Sequence, residues 1–151
     1  MFDILVYLFE NYHQPAACPE PSVLARKLSA AGFDQEDITA ALGWLSGLEN
    51  LARDDSRPSG SGSLRIYCAS ELAKLPAACR GFLCFLENAG AIDAVLREMI
   101  IESAMVLPEL MVSLGTLKII VLMVMWRRDE AIDTLLLEEL LAEDDDLPYM
   151  H

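Results

Sequence analysis

Histidine is almost missing from this chain of 151 residues: His13 lies beside a proline-rich stretch and His151 is the last residue. That leaves no Ser/His/Asp set on ordered elements and no Cys–His pair, the arrangements that activate an oxygen or sulfur nucleophile. Positive charge is scarce as well. Eleven Lys and Arg stand against 24 Asp and Glu, a net charge of −13. Affinity for nucleic acid and anionic lipid comes largely from Lys and Arg neutralising phosphates, so this balance disfavours unassisted binding to either and favours a basic partner.

A long hydrophobic run is also lacking. Leu110–Trp126 is strongly apolar, but Gly115 and Lys118 leave an uninterrupted stretch of eight residues, Ile119–Trp126. A membrane span needs roughly 20, so a buried core helix is expected there and no membrane segment. The opening Met1–Leu5 has neither a basic n-region nor a small-residue cleavage site, which points to the cytoplasm. The cysteines Cys18, Cys68, Cys79 and Cys84 follow no disulfide or zinc-ligand spacing and are expected as buried free thiols. Gly60 and Gly62 sit in a Ser-rich segment without the strand and helix a phosphate loop needs. Glu98 and Glu102 stand i, i+4 on one helix, and pairing with Arg97 or solvent is expected over cation binding. The expectation is therefore a protein without catalytic residues, metal or cofactor.

What is present is helical periodicity. Helices are predicted over about 2–13, 21–31, 34–50, 70–75, 77–89, 94–106, 114–127 and 130–142, with one short alternating stretch, 64–68, that suits a strand. The second and third helices form a corner. Gly32 suits a left-handed cap, Asp34 an N-cap, Asp37 the N3 position, and Phe33 can staple onto Ile38. Gly43 and Gly47 weaken the third helix by about 1 kcal/mol each relative to Ala, tolerable where a neighbouring backbone approaches closely. The outline is helix-turn-helix-like, yet Leu28–Ala52 contains no Lys or Arg and the third helix opens Asp34-Gln35-Glu36-Asp37. A DNA-reading helix needs donors and positive charge there, so direct reading by the 34–50 helix is disfavoured.

The expected architecture is all-α. A three-helix module (1–52) is followed by a flexible Ser/Gly linker (53–63), a four- to five-helix module (64–143) and an acidic tail (144–151). Periodicity leaves open whether the two modules pack together. Ser70 is expected to cap the 70–75 helix, Asp93 the 94–106 helix, and the nearly all-apolar 114–127 helix should be the hub of its half.

Several collinear segments resemble the bacterial Smg proteins: the opening Met1-Phe2-Asp3-Ile4-Leu5-Val6-Tyr7-Leu8-Phe9-Glu10, Ala31-Gly32-Phe33-Asp34 with Ala41-Leu42-Gly43-Trp44-Leu45, Arg65-Ile66-Tyr67, Cys79-Arg80-Gly81-Phe82-Leu83, Arg97-Glu98-Met99-Ile100-Ile101-Glu102, and Leu117-Lys118 with Leu122-Met123-Val124. The resemblance implies a small cytoplasmic family of unestablished biochemical role. Its genes lie commonly near those for a DNA-processing protein and a topoisomerase, an association that assigns no chemistry to any residue. Two functional expectations follow from the residues. The first is a non-enzymatic interaction protein or regulatory adaptor. Its candidate partner surface is the Leu-rich last helix and acidic tail (Leu136, Leu140, Leu141, Asp144, Asp145, Asp146), which suits a basic protein partner or a homodimer. The alternative is a nucleic-acid-associated helix-turn-helix-type module acting through Arg65, Arg80 and Arg97 of the second half.

Overall fold

The computed structural model describes residues 2–12, 19–53, 67–128 and 134–141. Their regular structure is wholly helical: α1 (Phe2–Asn11), α2 (Pro21–Ala30), α3 (Gln35–Arg53), α4 (Ala69–Lys74), α5 (Ala77–Asn88), α6 (Ala94–Met105), α7 (Leu114–Arg127) and α8 (Thr134–Leu141). Residues 64–66 of the expected strand lie outside the described residues, and Tyr67 and Cys68 lead into α4 without strand structure. The expected linker, Arg53 excepted, and the acidic tail also lie outside them.

Caps set most boundaries. Pro21 opens α2, where its missing N–H costs nothing. The chain leaves α2 through a complete Schellman motif: Phe33 N–H donates to Leu28 O (3.2 Å) and Gly32 N–H to Ser29 O (3.1 Å), with Gly32 at φ +102°. Phe33 then lands on the core, edge-on to Tyr7 at 5.5 Å between ring centroids. The Asp93 carboxylate accepts the Leu96 N–H at the start of α6, and the Ser113 hydroxyl accepts the Thr116 N–H at the start of α7. At α4 the expected cap is displaced. The helix begins at Ala69, because Glu71 reaches back to accept the Cys68 N–H at 3.0 Å and fixes Cys68, not Ser70, as the N-cap.

The relation between the two halves is settled by α7. Leu117, Lys118 and Ile120–Trp126 are all buried, and α1, α3, α5, α6 and α8 pack around this helix. The halves therefore share one continuous core. Polar fasteners cross the same boundary: the Trp126 indole N–H donates to Tyr12 O (2.8 Å), the Trp44 indole N–H donates to Ser103 O (3.1 Å), and Arg127 pairs with Glu49. Among the described residues, no helix is long and apolar enough to cross a membrane.

Candidate interaction groove

Ala40, Gly43, Trp44, Gly47 and Leu48 recur at i, i+3, i+4, i+7 and i+8, so they share one face of α3. Facing them are Glu102 and Ser103, in the last turn of α6, and the turn that follows, Val106-Leu107-Pro108-Glu109. Together they line a groove of about 530 Å³. Trp44 and Leu48 are buried in its wall, while Gly43 and Gly47 lie open. A Cβ placed on either glycine would meet no atom within 4 Å. The close backbone approach that would make two glycines tolerable in a helix is thus not supplied by the described residues.

The opposite bank is held firmly. Lys74 Nζ donates to Met105 O (2.9 Å) and also to Leu107 O, satisfying carbonyls that the end of α6 leaves without helical partners. Val112 N–H donates to Lys74 O at 2.8 Å, so α4 pins both ends of the 106–111 loop. On this anchored loop three apolar side chains face solvent: Val106, Met111 and, at 95% exposure, Leu110. Holding exposed apolar groups on a fixed turn is the arrangement expected of a contact surface.

Both ionisable residues that line the groove, Glu102 and Glu109, are carboxylates. Ser103 is 2% exposed. Its carbonyl accepts the Trp44 indole N–H, and its hydroxyl oxygen is buried without a hydrogen-bond partner among the described residues. A Ser inside a helix ordinarily returns its hydroxyl to the carbonyl four residues back. An orphaned buried hydroxyl costs about 1–3 kcal/mol.

The residues singled out from the sequence fall elsewhere. Leu140 is buried and Leu136 half-buried against the core. Leu140 is thus spent on packing α8 within the fold, which corrects its place in the candidate surface, while Leu136 is only partly covered. The side chain of Leu141 and residues Asp144, Asp145 and Asp146 lie outside the described residues, as does Arg65. Arg97 is 6% exposed. Its Nη1 donates to both oxygens of Glu87 (2.9 and 2.7 Å) and its Nε to Glu98 (3.0 Å), so those donors are not available to phosphate. Arg80 is half-buried and its Nε donates to Leu75 O at 3.1 Å. Cys79 is a buried thiol, its Sγ donating to Val112 O, but Cys68 and Cys84 are exposed, which corrects the expectation of burial for those two. Cys84 lies five residues past Cys79, well over a quarter-turn away on the same helix, and so faces out. Among the described residues, no three His, Cys, Asp or Glu side chains group as a metal would require.

A family model described as "Protein of unknown function (DUF494)" matches residues 1–151. The curated relative "Protein Smg homolog" from Azoarcus sp. is 53% identical over 156 aligned residues, covering 100% of both chains. The chain belongs to the Smg family. Further homologs of that name come from Aromatoleum aromaticum (54% identical, 95% of this chain and 94% of that one) and Bordetella petrii (52%, 95% and 96%). No solved structure matches. The family's description assigns no biochemical function, and Leu110 and Met111 escaped sequence reading because they merge with the apolar stretch that becomes α7. Pro108 and the Ser113 N-cap are the signals that set them outside the helix.

Proposed function

We propose that this Smg family member is a non-enzymatic interaction protein, a regulatory adaptor that captures a protein partner on the Val106–Met111 loop and the groove beside it. The observation that carries this reading is Leu110, 95% exposed on a turn whose two ends are pinned by α4. A solvent-facing leucine on a rigid mount gains by burial against a partner at little ordering cost. The net charge of −13 selects for a basic partner. The exposed free thiols Cys68 and Cys84 suit the reducing cytoplasm, where we place the protein. The test is crosslinking in the native host with full-length chain carrying Leu110→Ser and Met111→Ser. Loss of the crosslinked partner at unchanged thermal stability is expected. Undiminished recovery would remove the loop from the contact.

A further inference from the structure

We propose that the groove between α3 and the end of α6 seats a helix of the partner protein, amphipathic and basic, whose backbone lies along Gly43 and Gly47. This rests on the reading of the chain as an interaction protein and names what occupies one part of its surface.

Three independent features converge on that occupant. Gly43 and Gly47 are one helical turn apart on the same face, each weakening α3, and no described residue enters the space their missing side chains leave. Removing Cβ at i and i+4 lets a second backbone come closer to the helix than side chains would allow. Ser103 lines the same groove, and its hydroxyl, buried just behind that wall, has no partner among the described residues, so an occupant that shifts the wall slightly can complete it. The ionisable lining is Glu102 and Glu109, which favours cationic side chains at the margin.

The alternatives fit less well. An extended peptide gains its affinity from unpaired strand-edge amides, and here the floor is a helix whose amides are spent along its own axis. A second copy of this chain would bring −13 to meet −13. Packing of an apolar helical ridge into the Ala40–Gly43–Gly47 channel, with Lys or Arg reaching Glu109, uses the open glycine face and the acidic lining at once.

The experiment places a photo-crosslinking diazirine residue at exposed Ala40, or at Leu110 as the reference position, in full-length chain expressed in its native host. The crosslinked segment is then sequenced. A segment with excess Lys and Arg and apolar residues at helical spacing is expected at Ala40, its yield falling about tenfold with Gly43→Leu and with Glu109→Lys. Gly43→Leu should melt no lower than the parent, since its side chain enters open space. Should it melt lower, Gly47→Ala replaces it as the blocking variant, with reduced yield again expected. An acidic or aperiodic segment, a second copy of the chain, nucleic acid or lipid at Ala40 overturns the inference, as does a yield insensitive to both blocking variants. Crosslinking at Leu110 with none at Ala40 overturns the groove's occupant and leaves the interaction reading standing. None at either position overturns both.

Discussion

Helix α6 carries two buried polar side chains with opposite fates. Arg97, near its start, is held by Glu87 from α5 and by its neighbour Glu98, at 2.7–3.0 Å. Ser103, nearly two turns later, is equally hidden from water, yet its hydroxyl has no partner. Where α6 meets α5 the chain supplies carboxylates to its buried charge; where α6 meets α3 it leaves a hydroxyl without a described partner, two bare glycines and an open channel. A fold that satisfies a guanidinium in its interior has the means to satisfy a serine. Among the described residues the one buried side-chain oxygen without a partner stands beside this groove, which points to the groove as serving something other than the chain's own folding.

The contrast can be broken at its satisfied end with the largest effect. Burial opposes the charge of Arg97, and the hydrogen bonds and charges of Glu87 and Glu98 more than offset it, holding the guanidinium above its ordinary value. Arg97→Met strands two partly exposed carboxylates and is expected to cost about 3 kcal/mol in urea unfolding. Because the folded-state value is raised, stability from this group is fully present below the ordinary arginine value and is lost only as pH rises through the still higher folded value. Titration of Arg97 therefore contributes no slope to the stability gap between wild type and variant from about pH 6 to pH 9. A gap that shrinks steadily over that interval would show that the guanidinium does not stay charged.

Lys118 tests the same principle on the hub helix. It is 0% exposed, with Nζ 3.1 Å from Glu139 on α8 and 5.7 Å from the Phe82 ring centroid. Glu139→Ala leaves an ammonium unpaired in the core and is expected to cost about 2 kcal/mol, less than for a fully buried pair because Glu139 is itself half-exposed. Adding Lys118→Met should restore most of the loss, since a thioether of similar length fills the site without charge. A double variant no more stable than Glu139→Ala would mean that the lysine stem, not its charge, fastens α8.

Sequence reading located the helices where local signals are complete. Asp93 as a cap and the nearly all-apolar pattern of α7 set the boundaries of α6 and α7 to within a residue or two. The all-α class and the family follow from the same features. What stayed hidden depends on residues distant in sequence. Lys118 reads as an interruption of an apolar helix until Glu139 is placed over it, 21 residues on. Trp44 flanks its helix's apolar row without an evident purpose until Ser103 O, 59 residues away, receives its N–H. Gly43 and Gly47 were legible as weak points, but whether a neighbour fills them is a question of three dimensions. The Leu-rich last helix misled for a related reason. Periodicity shows that a face is apolar and is silent on whether the chain itself covers it, as it covers Leu140.

At the unsatisfied end the expected stability changes are smaller and of opposite sign. Gly43→Ala adds a methyl where nothing stands within 4 Å and improves helix propensity. It should stabilise the chain by about 1 kcal/mol, roughly 2–4 °C in melting temperature. If it destabilises instead, the space is not open in solution.

Ser103→Ala is the smallest and most discriminating change. The substitution keeps the Cβ and the carbonyl that accepts the Trp44 indole, and removes a hydroxyl that has no partner among the described residues. The free chain should therefore be unchanged or stabilised by up to about 1 kcal/mol. Had the hydroxyl been bonded within the fold, the same substitution would cost about 1 kcal/mol, so the sign of the change separates the two cases. A residue whose loss strengthens the free protein and weakens partner crosslinking at Ala40 is one whose hydrogen bond is completed only in the complex. A stability loss with unchanged crosslinking would place that hydrogen bond inside the fold and close the contrast between the two ends of α6.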